Sequence, residues 1–140
     1  MKNPESLDWY AFAKMDMDSA VVLNEHARPK PLEIICYHSQ QSVEKMLKEY
    51  LIENGINAPR THDLPLLCDM CLEISSDFSE LVDICELVTV YGIQPRYPNE
   101  IDITEDDARL ALKYSSDVHN FFEANVFEYN VDNNADGDEK

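Results

Sequence analysis

The chain has 140 residues, of which 44% are hydrophobic, and this suits one domain with a single core. Its 28 acidic and 11 basic residues give a formal net charge of −17 at pH 7. General nucleic-acid binding and adhesion to an anionic membrane are therefore disfavoured, because both depend on Lys and Arg. Only 3 glycines occur, which favours a helical fold over a strand-rich one.

Five helices are predicted from the spacing of apolar residues and from the breaks between them. The first break is the segment Arg28-Pro29-Lys30-Pro31, because proline cannot continue a helix. The second break is at Gly55, because glycine can take the left-handed conformation at the C-terminus of a helix. The predicted helices run from about Leu7 to Ala27 with Ser6 as N-cap, Pro31 to Asn54, Thr61 to Ile74, Phe78 to Tyr91 and Thr104 to Val126. We expect an all-α, five-helix up-and-down bundle over residues 1–130 and a disordered acidic tail over residues 131–140.

The first helix has a broad apolar face that includes Phe12, Ala13 and Ala20. Asp16 interrupts this face, so that part of it is expected to be less buried. The fifth helix opens with Thr104 and three acids, a pattern that caps a helix and suits its dipole.

The second helix carries two stripes at helical spacing. Cys36, Val43, Met46, Leu47, Tyr50 and Leu51 form an apolar stripe. The other stripe has two lysines, a histidine and no acid: His38, Gln41, Lys45 and Lys48. It is either an anion-binding surface or a solvated face whose lysines pair with local acids such as Glu44, Glu49 or Glu53. As an exposed lysine, Lys45 should change stability by only about half a kcal/mol when replaced by Ala.

The four cysteines are Cys36, Cys68, Cys71 and Cys85. The N-terminus lacks the features of a signal peptide, and no apolar run approaches the roughly 18 residues of a membrane span, so we expect reduced thiols and a cytoplasmic location. Cys68-x-x-Cys71 suggests zinc, but both cysteines fall on the apolar stripe of one helix. We therefore expect buried core residues, with no metal and no cofactor.

Three motifs follow one another along the chain. They are His38-x-Gln40-Gln41-x-Val43-Glu44-Lys45-x-Leu47-Lys48, then Thr61-His62-Asp63-Leu64, then Tyr91-x-x-x-x-Arg96-Tyr97-Pro98. In order, spacing and helical context they resemble the HEPN domain (higher eukaryotes and prokaryotes nucleotide-binding), over about residues 5–127. The resemblance implies a five-helix bundle and, commonly, a homodimer.

The resemblance also implies a site at which His62, Arg96 and Tyr97 join the polar stripe of the second helix, and lysine and arginine there would suit phosphate. His62 is expected either to contact a ligand or to close the start of the third helix by hydrogen bonds. Arg96 is expected either to reach the same cleft or to fix its own loop through a buried ion pair.

Two functions are open. HEPN ribonucleases carry an Arg followed, after four to six residues, by a His; no Arg and His of this chain have that spacing, so no catalytic residue is assigned. The first hypothesis is a non-catalytic HEPN protein that binds a nucleotide-like anion or a minimal nucleotidyltransferase partner, as half of a toxin–antitoxin-type pair. The alternative is a metal-independent ribonuclease whose acid–base group is His38, His62 or His119.

Overall fold

The computed structural model describes residues 4–92 and 102–127. Within these ranges the chain forms five α-helices and no strand: α1 Pro4–His26, α2 Leu32–Glu53, α3 Leu64–Ile74, α4 Val82–Val88 and α5 Glu105–Phe122. Short 3₁₀ turns at Ser76–Leu81 and Thr89–Gly92 flank α4, and a π-helical turn at Glu123–Phe127 follows α5. The predicted all-α five-helix bundle is confirmed.

The central helix is α2, which packs along α1 and also contacts α3, α4 and α5. The larger core cluster is built around the aromatic side chains of Phe78, Phe121 and Phe122, with Tyr50 against them. A smaller cluster joins α1, α2 and α5 through Ala20, Ile35, Cys36, Ala108 and Ala111. The predicted apolar stripe of α2 therefore faces the core, with Tyr50 half-buried and its other members buried.

The helix ends follow the capping chemistry of the sequence. Gly55 adopts the left-handed conformation after α2, with φ at +78°. Asp63 caps α3 by accepting a hydrogen bond of 3.1 Å from the Leu66 amide. Thr104 and Asp107 form a reciprocal capping box at the start of α5. These residues give α2, α3 and α5 defined ends, and so fix the connections that carry the site.

The predicted fourth helix was too long, because only Val82–Val88 is α-helical. The preceding turn is 3₁₀, which aligns side chains three residues apart, and it buries Phe78 and Leu81 together against the core. The first helix begins at Pro4 rather than Leu7, so the predicted Ser6 cap was also wrong. Phe12, expected on the buried face of α1, is 51% exposed.

The cysteines are buried free thiols, as predicted. Cys68 donates to the carbonyl of Phe78 and Cys71 to the carbonyl of Leu47, both inside the core. Among the described residues, no helix combines the length and the apolar character that crossing a bilayer requires. The predicted acidic tail at 131–140 lies outside the described residues, and the domain boundary before it stays a prediction.

Candidate functional site

The polar stripe of α2 faces α1 and the α2–α3 connection rather than open water. Gln41 and Lys48 are buried, and the side chains of His38 and Lys45 are only 29% and 23% exposed. The stripe is therefore not a solvated face. Its members reach two carboxylates, and these divide it into two clusters.

The first group, the Asp16 cluster, joins α1 to α2. Asp16 Oδ1 lies 2.9 Å from His38 Nδ1, and Asp16 Oδ2 lies 2.5 Å from Lys45 Nζ. The Asp16 side chain is only 12% exposed. The expectation that Asp16 marks a less buried part of α1 was wrong, because two α2 side chains cover its carboxylate and satisfy it.

The second group, the Glu44 cluster, joins α2 to the start of α3. Glu44 Oε1 lies 2.8 Å from His62 Nδ1, and Glu44 Oε2 lies 3.1 Å from Lys48 Nζ. The side-chain amides of Gln40 and Gln41 also donate to Oε1, at 3.2 Å and 3.4 Å. Glu44 is 3% exposed, so a buried carboxylate is balanced by one lysine and surrounded by donors.

Both lysines of the stripe are thus paired. Lys48 pairs with Glu44, one of the local acids considered from the sequence, whereas Lys45 pairs with Asp16 from another helix. Each ammonium group of the stripe therefore lies against a carboxylate. What the clusters offer a ligand is the outer edges of two carboxylate-bound imidazoles.

Among the members of the predicted set that the structure describes, His62 is the most exposed, with 61% of its side chain accessible. Its carbonyl oxygen accepts hydrogen bonds from Gln40 Nε2 and Thr89 Oγ1, both at 3.2 Å. An ionised carboxylate can only accept, so Nδ1 of His62 donates to Glu44 and Nε2 is left for another partner. Asp63, not His62, closes the start of α3.

Arg96 and Tyr97 lie outside the described residues. Gly92 is the last described residue before them, and it packs directly on this site. A Cβ atom at Gly92 would come within 2.7 Å of Gln40 Nε2 and 3.2 Å of His62 Cβ. A side chain at position 92 would therefore have to displace the Gln40 amide, so Gly92 allows the chain to pass close beside His62.

His119, the third histidine considered for catalysis, is half-buried between helices. Its Nε2 lies 2.5 Å from Ser42 Oγ, and Ser42 donates to the carbonyl of Ala13 at 2.7 Å. Since the Ser42 proton goes to that carbonyl, His119 is the donor to Ser42. Burial lowers the pKa of His119, and the nearby Lys14 lowers it further. Ser42 is fully buried and acts as a link between three helices, not as a nucleophile.

Sequence reasoning missed the carboxylates and one amide that organise the site. Asp16 was predicted only to interrupt an apolar face, and Glu44 only to be a local counter-charge for the lysines. No role was predicted for Gln40. Glu44 and Gln40 lie next to the polar stripe and belong to the family motif. Their place in that motif is the one feature of the sequence that could have identified them as site residues. The long-range partner Asp16 leaves no such signal.

The described fold is a helical bundle with a central helix whose polar side chains are buried against two carboxylates. Comparison with family models gives a match to the HEPN domain over residues 6–125. The chain therefore belongs to the HEPN family, a family of nucleotide-binding or ribonuclease type. No curated protein and no solved structure matches the chain.

Proposed function

We propose that the protein is a non-catalytic HEPN protein that binds a nucleotide-like anion at the surface around His62. The residues of the proposed site, in direct contact with the ligand or in support of those that are, are His38, Gln41, Lys45, Lys48, His62, Arg96 and Tyr97. The observation that carries the proposal is the combination of exposure and rigidity at His62. Its imidazole is 61% exposed, while Glu44 holds its ring and Gln40 and Thr89 hold its backbone.

A rigid donor supports binding because little conformational entropy is lost when a ligand arrives. Glu44 does not contact the ligand itself but holds the His62 ring in one orientation by a hydrogen bond. This bond also determines which ring nitrogen faces outward. Lys48 and Gln41 do not need to contact the ligand to contribute, since both hold Glu44 in place. This assigns the buried stripe residues a supporting role and His62 the direct one.

Arg96 can supply the second contact. It is four residues beyond Gly92, and four extended residues span at most about 14 Å. Because Gly92 packs on His62 and Gln40, the length of the chain permits Arg96 to reach a ligand held by His62. An arginine fork together with an imidazole edge suits a phosphate group.

A ribonuclease activity is the second candidate, and one observation favours it. A carboxylate behind an imidazole, as in Glu44–His62, is the arrangement that orients a general base in hydrolases. Against it, acid–base cleavage also needs a general acid. His119 is engaged with buried Ser42. The His38 side chain is only 29% exposed, whereas that of His62 is 61% exposed. We therefore place binding ahead of catalysis.

The partners follow from the same proposal. We propose a cytoplasmic homodimer, and a minimal nucleotidyltransferase as the second protein of a toxin–antitoxin-type pair. Phe12, Met15 and Val22 are exposed by 51%, 60% and 54% along one side of α1, and they support self-association. General nucleic-acid binding is not proposed, because the net charge is −17.

The proposal is tested by calorimetric titration of the protein with a panel of mononucleotides. We expect His62→Ala to weaken binding at least tenfold, as loss of a hydrogen bond to a charged group does. His26→Ala is the matched control, because the His26 side chain is 74% exposed at the end of α1, away from the Glu44 cluster. Equal affinities in both variants and in the unchanged protein would contradict the proposal.

A further inference from the structure

A cleft of about 590 Å³ opens between the start of α1, the second half of α2 and the connection to α3. Its volume is in the range of small-molecule sites. None of its lining residues apart from Lys48 belongs to the predicted site. The lining residues are Trp9, Lys48, Ile52 and the loop Gly55 to Arg60.

One wall of the cleft is an indole held in place by a buried cation. Lys48 Nζ lies 5.8 Å from the centroid of the Trp9 ring and 3.1 Å from Glu44 Oε2. This fixes Lys48 between a carboxylate and an aromatic face, where cation–π attraction adds to the ion pair. The wall thus connects the cleft to the Glu44 cluster.

The remaining walls combine an apolar surface with the guanidinium group of Arg60. Ile52, Ile56 and Pro59 supply the apolar surface beside the indole. Arg60 is exposed at the rim and forms no ion pair within residues 4–92 and 102–127. By contrast, both lysines of the α2 stripe are paired. Among the described residues Arg60 therefore has no counter-charge, and it lies beside an aromatic and aliphatic surface.

We propose that this cleft binds a planar aromatic ring that carries an anionic group. The ring lies against Trp9 and the aliphatic wall, where stacking is favourable for any ring with a π face. The anionic group is bound by Arg60, whose fork matches a carboxylate or a phosphate. A nucleoside monophosphate and an aromatic carboxylate share this chemistry. The inference deepens the proposed binding function and rests on it, since Lys48 belongs to both sites.

Trp9 is the only tryptophan in the chain, so tryptophan fluorescence arises from the wall of this cleft. We would titrate the full chain with adenosine monophosphate and, separately, with 1-naphthoate. The expected result is a saturable change in Trp9 emission with at least one probe. Arg60→Gln should weaken that binding at least tenfold. Arg109→Gln is the control, because Arg109 is an exposed arginine on α5.

The two probes distinguish the sources of the ligand. A response to adenosine monophosphate alone identifies a nucleotide site, and a response to 1-naphthoate alone identifies a carboxylate site; both outcomes support the cleft. Absence of any saturable change up to about 5 mM of either probe would overturn it, as would equal affinity in Arg60→Gln.

A second variant separates this inference from the proposed function. Trp9→Leu, followed by calorimetry, should weaken binding of the responding probe because the stacking surface is removed. If nucleotide binding is lost in His62→Ala but unchanged in Trp9→Leu and Arg60→Gln, the cleft proposal is overturned while the His62 proposal stands. The opposite pattern supports the cleft and overturns His62 as the direct contact.

Discussion

Replacing Glu44 by Ala should be strongly destabilising, because Glu44 is the centre of a buried polar cluster. The substitution leaves the charge of Lys48 unpaired, and the Lys48 side chain is only 9% exposed. Breaking a buried pair by removing one partner costs about 3–5 kcal/mol. Native domains are stable by about 5–15 kcal/mol, so this loss would be a large part of the total. His62 would also lose the acceptor that orients its ring.

Urea unfolding followed by circular dichroism measures this loss. The double variant Glu44→Gln with Lys48→Met should recover a good part of it, since replacing both members of a buried pair is often close to neutral. The matched control is Asp117→Ala, which breaks the exposed i,i+4 pair with Lys113 on α5 and should leave the unfolding midpoint nearly unchanged. A cost below about 1 kcal/mol for Glu44→Ala would refute the reasoning, as would a double variant no more stable than the single one.

Four further outcomes are expected. Lys45→Met should lower the unfolding free energy by about 1–2 kcal/mol, since Asp16 loses one partner; a loss below about 0.5 kcal/mol would show that the pair behaves as a surface pair. The unfolding free energy should fall as the pH falls below about 6.5, because the pKa of His119 is lowered in the folded protein and the unfolded chain therefore binds the proton first. His119→Gln should remove this contribution to the dependence of the unfolding free energy on pH, which is at most about 1.4 kcal/mol per pH unit. The control His26→Gln should not remove it. Light scattering should show a dimer for the unchanged protein and a 16.1 kDa monomer for Phe12→Glu. Equal masses for the unchanged protein and the variant would contradict dimerisation through α1. The purified protein should not cleave single-stranded RNA above background; cleavage that is lost on His38→Ala or His62→Ala would favour the ribonuclease alternative.

Local chemistry made most of the fold predictable. Apolar spacing placed the core face of α2, and residues such as Gly55 and Thr104 marked helix ends because capping depends on near neighbours alone. The prediction was wrong for the fourth helix, where burial of Phe78 and Leu81 outweighs helical propensity. It was also wrong for Phe12, because the sequence does not show which part of a broad apolar face meets α2.

The candidate site was less predictable, because its partners come from different helices. Spacing placed His38 and Lys45 on one face but could not show that Asp16 lies opposite them. Lys45 was therefore treated as an exposed lysine of negligible effect on stability, whereas its side chain is 23% exposed and bound to a carboxylate. Glu44 was visible in the motif, yet only the fold brings His62 onto it.

The most direct test of the account is a histidine-selective NMR titration with a mononucleotide. The chain has only four histidines, so each imidazole can be followed separately. The account predicts that the His62 signals shift saturably while those of exposed His26 stay in place, and that Glu44→Gln weakens the response by loosening the ring. If no histidine responds up to about 5 mM nucleotide, or if His26 and His62 respond alike, the central claim is contradicted.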